Sequence, residues 1–293
     1  MEAFINIIKI ILFGIVEGVT EWLPVSSTGH MIILEQVLNV QEIFDGGKVF
    51  WDFFLVAIQL GAILAVICCF FNKLNPFGGK SLINPNEKKS AEEKKDIWLL
   101  WVKVLVACLP AAIIGLLLDD WLDSVFYNSI TVSITLIVYG VLFIVMEYWN
   151  KRREFKINDV KDLSFRTALI IGCIQLLALI PGTSRSGVTI LGAMLILCNR
   201  SVACEFSFFL SIPVMFGASL LKGVKYFMDT DSYSGNDFIL LFIGMVVAFA
   251  VSMIIIKFLM SFIKKHDFKP FGIYRICLGI LLIILFATKV LAI

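Results

Sequence analysis

Glu17 and Glu21 lie four positions apart in an otherwise apolar stretch near the N-terminus. That spacing puts both carboxylates on one helix face. Two carboxylates so close do not both ionise comfortably without a neutralising group. A shared proton, a divalent metal with oxygen ligands or a fixed arginine would each serve; a polar pair that only ties helices together is the bland alternative. Next comes Pro24-Val25-Ser26-Ser27-Thr28-Gly29-His30. Pro24 breaks the first helix, and the hydroxyls of Ser26, Ser27 and Thr28 can cap the next one. Ser27 and His30, three positions apart, predict a nucleophile–base or base–water pair. The only other histidine, His266, stands between Lys265 and Asp267 in a charged loop.

A second constellation is Pro181-Gly182-Thr183-Ser184-Arg185-Ser186-Gly187-Val188-Thr189. Gly182 lets the backbone approach a ligand closely, and the start of the following helix offers free N–H groups to an anion. The hydroxyls of Thr183, Ser184, Ser186 and Thr189 surround Arg185, whose planar, always-charged fork matches phosphate. Helix capping alone explains the small residues but leaves an arginine unpaired in an apolar segment. Gln175, just upstream, either lines the same cavity or bonds across helices. One tip is acidic with a histidine; the other is cationic and rich in donors. Brought together they form the parts of metal-assisted phosphoryl hydrolysis, with Glu17 and Glu21 on the cation.

The elements that must hold these tips are membrane helices. The chain has 293 residues, 59% hydrophobic and only 16% charged, with a mean hydropathy of +0.93. Soluble domains average about 45–50% apolar and 25% charged. This composition excludes a single soluble core, a disordered chain, a secreted disulfide scaffold and a nucleic-acid binder. The seven cysteines fall in apolar runs without a CxxC pair and read as small apolar residues. The N-terminal stretch lacks a basic start and a small-residue cleavage site, so it is expected to be retained.

A spanning helix needs about 20 mostly apolar residues. Stretches 49–71, 97–118, 125–149, 202–227, 238–263 and 271–292 meet this. Stretch 4–23 is interrupted by Gly14, Gly18 and the two glutamates; 25–38, 165–180 and 187–197 are short. Each of these two pairs predicts a hairpin that enters the membrane, turns inside and leaves on the same side, which is tolerated where the turn lines a protein cavity. Lys73, Lys80, Lys88, Lys89, Lys94 and Lys95 crowd one loop, Lys151, Arg152, Arg153, Lys156 and Lys161 another, and Lys264, Lys265 and Lys269 a third. Asp119, Asp120 and Asp123, then Asp229, Asp231 and Asp237, mark the loops between. The excess of Lys and Arg on the cytoplasmic side then places both termini and the first hairpin outside.

The halves, about 1–150 and 165–293, also repeat. Gly14-Ile15-Val16-Glu17 parallels Gly172-Cys173-Ile174-Gln175, and Pro24 to Ser27 parallels Pro181 to Ser184. Three crossings per half make the repeat inverted, a plan known among transporters. The expected fold is thus one all-α membrane domain: six transmembrane helices and two re-entrant hairpins in an inverted repeat. Tyr274 and Arg275, at the start of the last span, are left as structural candidates.

The two motifs together resemble the signatures of the bacterial undecaprenyl-diphosphate phosphatases, the bacitracin-resistance family. The likeness extends over Glu205-Phe206-Ser207-Phe208-Phe209 and Pro270-Phe271-Gly272-Ile273-Tyr274-Arg275. The resemblance implies an integral enzyme of the bacterial cytoplasmic membrane. It would hydrolyse undecaprenyl diphosphate to the monophosphate at the outer face, recycling a carrier lipid for cell-wall synthesis. It implies a divalent cation, Mg2+ or Ca2+, with Glu17 and Glu21. It further implies attack or proton transfer by Ser27 and His30, and phosphate held by Arg185, Ser184 and Thr189. The expected partners are a polyprenyl diphosphate lipid and the bilayer, with a homodimer left open and no nucleic acid. A lipid-carrier flippase using the same inverted-repeat site is the rival reading. The other lipid-phosphatase superfamily is set aside, because no Lys-x6-Arg-Pro element precedes these motifs.

Overall fold

The computed structural model describes residues 2–38, 40, 43–77, 89–126, 128–230 and 233–290. Lys80, Lys88 and Asp231 lie outside them, as do the side chains of Asp119, Asp120 and Asp123. Eleven α-helices are described: α1 (Glu2–Thr20), α2 (Ser27–Leu38), α3 (Gly47–Cys69), the single turn α4 (Phe71–Leu74), α5 (Ala91–Phe126), α6 (Ser129–Asn150), α7 (Phe165–Gln175), α8 (Arg185–Leu195), α9 (Arg200–Asp229), α10 (Gly235–Phe262) and α11 (Lys269–Ala287). Among the described residues there is no strand, only a single parallel bridge between Ile157 and Cys198.

Seven of these helices, α1, α3, α5, α6, α9, α10 and α11, are long and apolar enough to cross a membrane. Five coincide with the expected spans to within five residues at either end, whereas α5 begins six residues before and ends eight residues after the expected 97–118. The seventh is α1, which runs unbroken through Gly14 and Gly18. These glycines do not interrupt the helix because they serve close packing instead. A Cβ on Gly14 would lie 2.8 Å from Val247 Cβ, and one on Gly18 would lie 2.8 Å from the Ala248 carbonyl oxygen, both on α10. Small residues at such spacing let two membrane helices approach closely. Gly172 of α7 does the same against the backbone of Ala107 in α5.

The outward faces keep apolar side chains exposed, among them Leu105, Leu109 and Leu116 on α5 and Ile280 and Ile284 on α11. An excess of exposed apolar surface on long helices is the signature of a lipid-facing bundle. Inside, Trp22 at the end of α1 meets Phe208 of α9 edge-on, ring centroids 5.2 Å apart. Both rings belong to one buried apolar cluster that also holds Ile190 and Met194 of α8.

Polar contacts gather at two ends. At one, Arg200 makes a two-pronged bond to the buried Glu147, Lys73 pairs with Glu205, and Lys161 with Asp96. At the other, Asp237 accepts from the backbone N–H groups of Asp45 and Gly46 just before α3. The basic loops thus share one end, and the loops holding Asp45 and Asp237 share the opposite one.

Candidate active site

The first tip forms where α1 runs out. Glu21 still donates its N–H to Glu17 O at 3.0 Å, continuing the helical turn. Pro24 has no N–H to extend it. The chain then reverses through Ser26, held at φ 74°, and α2 begins at Ser27. The second tip forms where α7 tightens into a 3-10 turn, Leu176–Leu179. Gly182, at φ 85°, passes so close to Thr135 and the Val132 backbone that a side chain would overlap them. Thr135 Oγ1 also donates to Pro181 O at 2.9 Å, pinning this turn to α6. Ser184, at φ 69°, caps α8 by accepting from Gly187 N at 3.2 Å.

The two tips meet at Glu21. Its Oε1 accepts from Arg185 Nη2 at 2.9 Å and its Oε2 from Ser27 Oγ at 3.0 Å. Its backbone carbonyl accepts from Ser186 Oγ at 3.0 Å. Arg185 extends its other terminal nitrogen, Nη1, to Ser207 O of α9 at 3.0 Å. Thr189 supports that arm from below: its Oγ1 donates to Arg185 O and lies 2.5 Å from Ser207 Oγ. Thr183 closes its own turn by donating to Ile180 O. Ser184 Oγ lies 3.2 Å from Ser186 Oγ, and Thr28 is half-buried in the first turn of α2.

Ser27 and His30 are not a pair. Ser27 bonds to Glu21, whereas His30 bonds through Nδ1 to Ser26 O at 2.7 Å and through Nε2 to Tyr274 Oη at 2.6 Å. Sharing a helix face did not suffice, because each side chain found a partner on another segment. Tyr274 is therefore a site residue that the sequence reading left aside. So is Arg275, fully buried, whose guanidinium donates to Pro24 O in the first turn and to Gly182 O and Thr183 O in the second. It fastens the two tips to each other. Ser207 is a third addition, holding Arg185 by its backbone oxygen.

Several buried atoms of the site have no hydrogen-bond partner among the described residues: Glu17 Oε1, Ser26 Oγ, both head atoms of Gln175, and Arg185 Nε. Glu17 is 1% exposed and lies within the fields of both Glu21 and Arg185. A buried carboxylate oxygen without a donor is costly, and a hard cation would relieve it, since such ions take oxygen ligands. Among the described residues no group of three His, Cys, Asp or Glu side chains converges. Two carboxylates with remaining positions for phosphate oxygens and water still match the way Mg2+ is commonly bound. Chemically, the arrangement offers a carboxylate on a serine hydroxyl, an arginine whose Nε–H is unused, and a histidine at the half-exposed edge.

A sequence pattern described as bacitracin resistance protein BacA matches residues 10–281. The chain is 55% identical to an undecaprenyl-diphosphatase of Enterococcus faecalis over 280 residues, 96% of this chain and 97% of the relative. It is 54% identical to one of Acetivibrio thermocellus over 282 residues, covering 96% and 98%. To one of Streptococcus thermophilus it is 48% identical over 288 residues, covering 98% and 96%.

Proposed function

Because this chain belongs to the bacitracin resistance protein family, we propose that it is a multi-pass membrane undecaprenyl-diphosphatase whose reaction takes place where its two polar turns meet. It hydrolyses undecaprenyl diphosphate to undecaprenyl phosphate and inorganic phosphate. In doing so it returns a carrier lipid to cell-wall synthesis and confers resistance to bacitracin. The observation that carries the site is Glu21, a single buried carboxylate bonded at once to Arg185 of one turn and Ser27 of the other.

Arg185 binds the phosphate. Its Nε is unused, and its Nη2 is committed only to Glu21, so an arriving diphosphate competes with that carboxylate for the fork. Ser184, Ser186, Thr189, Thr183 and the Gly182 backbone shape the α8 side of the cradle; Ser26, Thr28 and Gln175 line its opposite side. Glu21 is placed to take the proton of Ser27 Oγ once phosphate matches the positive charge of Arg185. His30, with Nδ1 committed to Ser26 O, offers Nε2 for proton exchange with head-group oxygens. Glu17 and Glu21 would hold a divalent cation, Mg2+ or Ca2+, which when bound supplies charge neutralisation for the phosphoryl oxygens.

We read α1 with α2 and α7 with α8 as re-entrant pairs of an inverted repeat. At 12 and 11 residues, α2 and α8 are about 18 and 16 Å long, short of the ~30 Å hydrocarbon core. Supporting the repeat, α1 packs on α10 through Gly14 as α7 packs on α5 through Gly172. A serine at positive φ precedes both α2 and α8. Gly14 and Gly172, Glu17 and Gln175, Ser26 and Ser184, and Gly29 and Gly187 are all separated by the same number of residues. This register pairs Ser27 with Arg185, one position away from the alignment on the two prolines. The charge alternation has the site reached from the outer face, the substrate head entering sideways from the outer leaflet.

The test is phosphate release from a long-chain prenyl diphosphate by purified, detergent-solubilised protein, with and without excess chelator, beside Arg185→Ala and His30→Ala. Chelator-sensitive release that both variants lose is expected. Undiminished release by both would remove the two-turn site. No release from folded, lipid-supplemented protein would restore a carried, uncleaved head group.

A further inference from the structure

The two ring nitrogens of His30 are not equivalent. Nδ1 lies 2.7 Å from Ser26 O, a carbonyl oxygen that only accepts, so Nδ1 bears the hydrogen. In the neutral ring Nε2 then carries the lone pair, and the hydroxyl of Tyr274, 2.6 Å away, donates to it. The two rings lie parallel, their planes 3° apart and centroids 5.6 Å apart. Tyr274 is held there by its neighbour, since Arg275 is bonded into both turns. The phenol itself is half-exposed, at the edge of the site.

We propose that Tyr274 is a positioning residue of the hydrolytic reaction. Ser26 O sets the tautomer in which Nε2 is free of hydrogen, and Tyr274 holds the other end of the imidazole, keeping the Nε2 lone pair turned toward the open edge. A hydrogen bond from each side prevents the ring from rotating about its Cβ–Cγ axis. When a phosphate or water oxygen arrives, the phenolic O–H can rotate away without displacing its ring. The inference rests on the reading above that His30 exchanges a proton through Nε2.

Tyr274→Phe keeps the ring and the parallel stack and deletes only the donor. The expected result is kcat lower by roughly tenfold with KM within about twofold, the loss of one orienting hydrogen bond. The melting temperature should stay unchanged. The decisive readout is the 15N spectrum of histidine-labelled protein carrying His266→Gln, which leaves His30 as the sole histidine. The parent should show a protonated Nδ1 and an unprotonated, hydrogen-bonded Nε2; adding Tyr274→Phe should keep Nδ1 protonated and move the Nε2 resonance to that of a lone pair without a donor. Parent-like kcat together with a parent-like spectrum in the Tyr274→Phe protein would overturn the proposal. Full hydrolysis by His30→Ala would overturn the role of His30 beneath it, whatever the spectrum shows.

Discussion

In the proposed reaction Glu21 has two jobs that pull apart as the substrate arrives. While Arg185 holds Oε1, part of the carboxylate's charge is neutralised and its hold on the Ser27 hydroxyl is weakened. On that reading phosphate takes over the arginine's Nη2 and leaves the carboxylate to the serine hydroxyl alone. The fork is essential to that exchange, because Nη1 stays anchored on Ser207 O while Nη2 is released. Lysine has one ammonium and no such division of donors. Arg185→Lys should therefore fold normally yet lose about 10²–10³ in kcat/KM, the scale of removing one anion-stabilising donor. Near-parental kinetics in that variant would reduce Arg185 to a simple counter-charge. At this scale Glu17, Glu21, Ser27, His30 and Arg185 were legible in the sequence, because ionisable and hydroxyl groups stand out against an apolar background. Arg275 and Ser207 were not, since their partners are backbone carbonyls or are reached through their own, which leave no pattern of residue types. The partner of His30 was equally hidden, lying 244 positions away.

Helices carry the tips, and their spacing is set by places where no side chain is present. Gly172 lies against the backbone of Ala107 in α5, so a Cβ there cannot be absorbed by turning a neighbouring side chain. Gly172→Val should force α7 off α5, destabilising the protein by about 1–3 kcal/mol, typical of overpacking. It should also displace the turn at Pro181, so activity falls even below the melting transition. Gly217 of α9 is the internal control: a Cβ there meets nothing within 4 Å. Gly217→Ala should be neutral, or stabilising by up to about 1 kcal/mol through helix propensity. Thermal melting in detergent separates the two, and equal shifts would show that the close packing is dispensable. The long apolar helices were readable from length and hydropathy, although α5 extends past its expected bounds at both ends. The continuity of α1 was not, because glycine in a window reads equally as a break or as a contact surface, and only the presence of α10 decides. The tight register between Ser26 and Ser184 was also obscured, since Pro24 and Pro181 invite an alignment one residue off.

At the scale of the whole molecule, the two ends differ in chemistry. One gathers Arg200, Lys73 and Lys161 with their carboxylate partners; the other is organised by Asp237 capping the chain before α3. Loops rich in Lys and Arg remain cytoplasmic because translocating them is unfavourable. On the proposed orientation the Asp237 end faces outward, and α2, which starts at the reaction site with Ser27, lies toward that side. A lipid whose anionic head lies in the outer leaflet could reach the joined tips without its charge crossing the full hydrocarbon core. Exposed positions at the two ends make this testable with an impermeant thiol reagent on intact cells. Tyr233, exposed between α9 and α10, and Arg152, exposed after α6, are suitable sites. Tyr233→Cys should be labelled in intact cells, and Arg152→Cys only after permeabilisation. The reverse pattern would turn the site toward the cytoplasm, and the substrate would then have to be supplied from the inner leaflet.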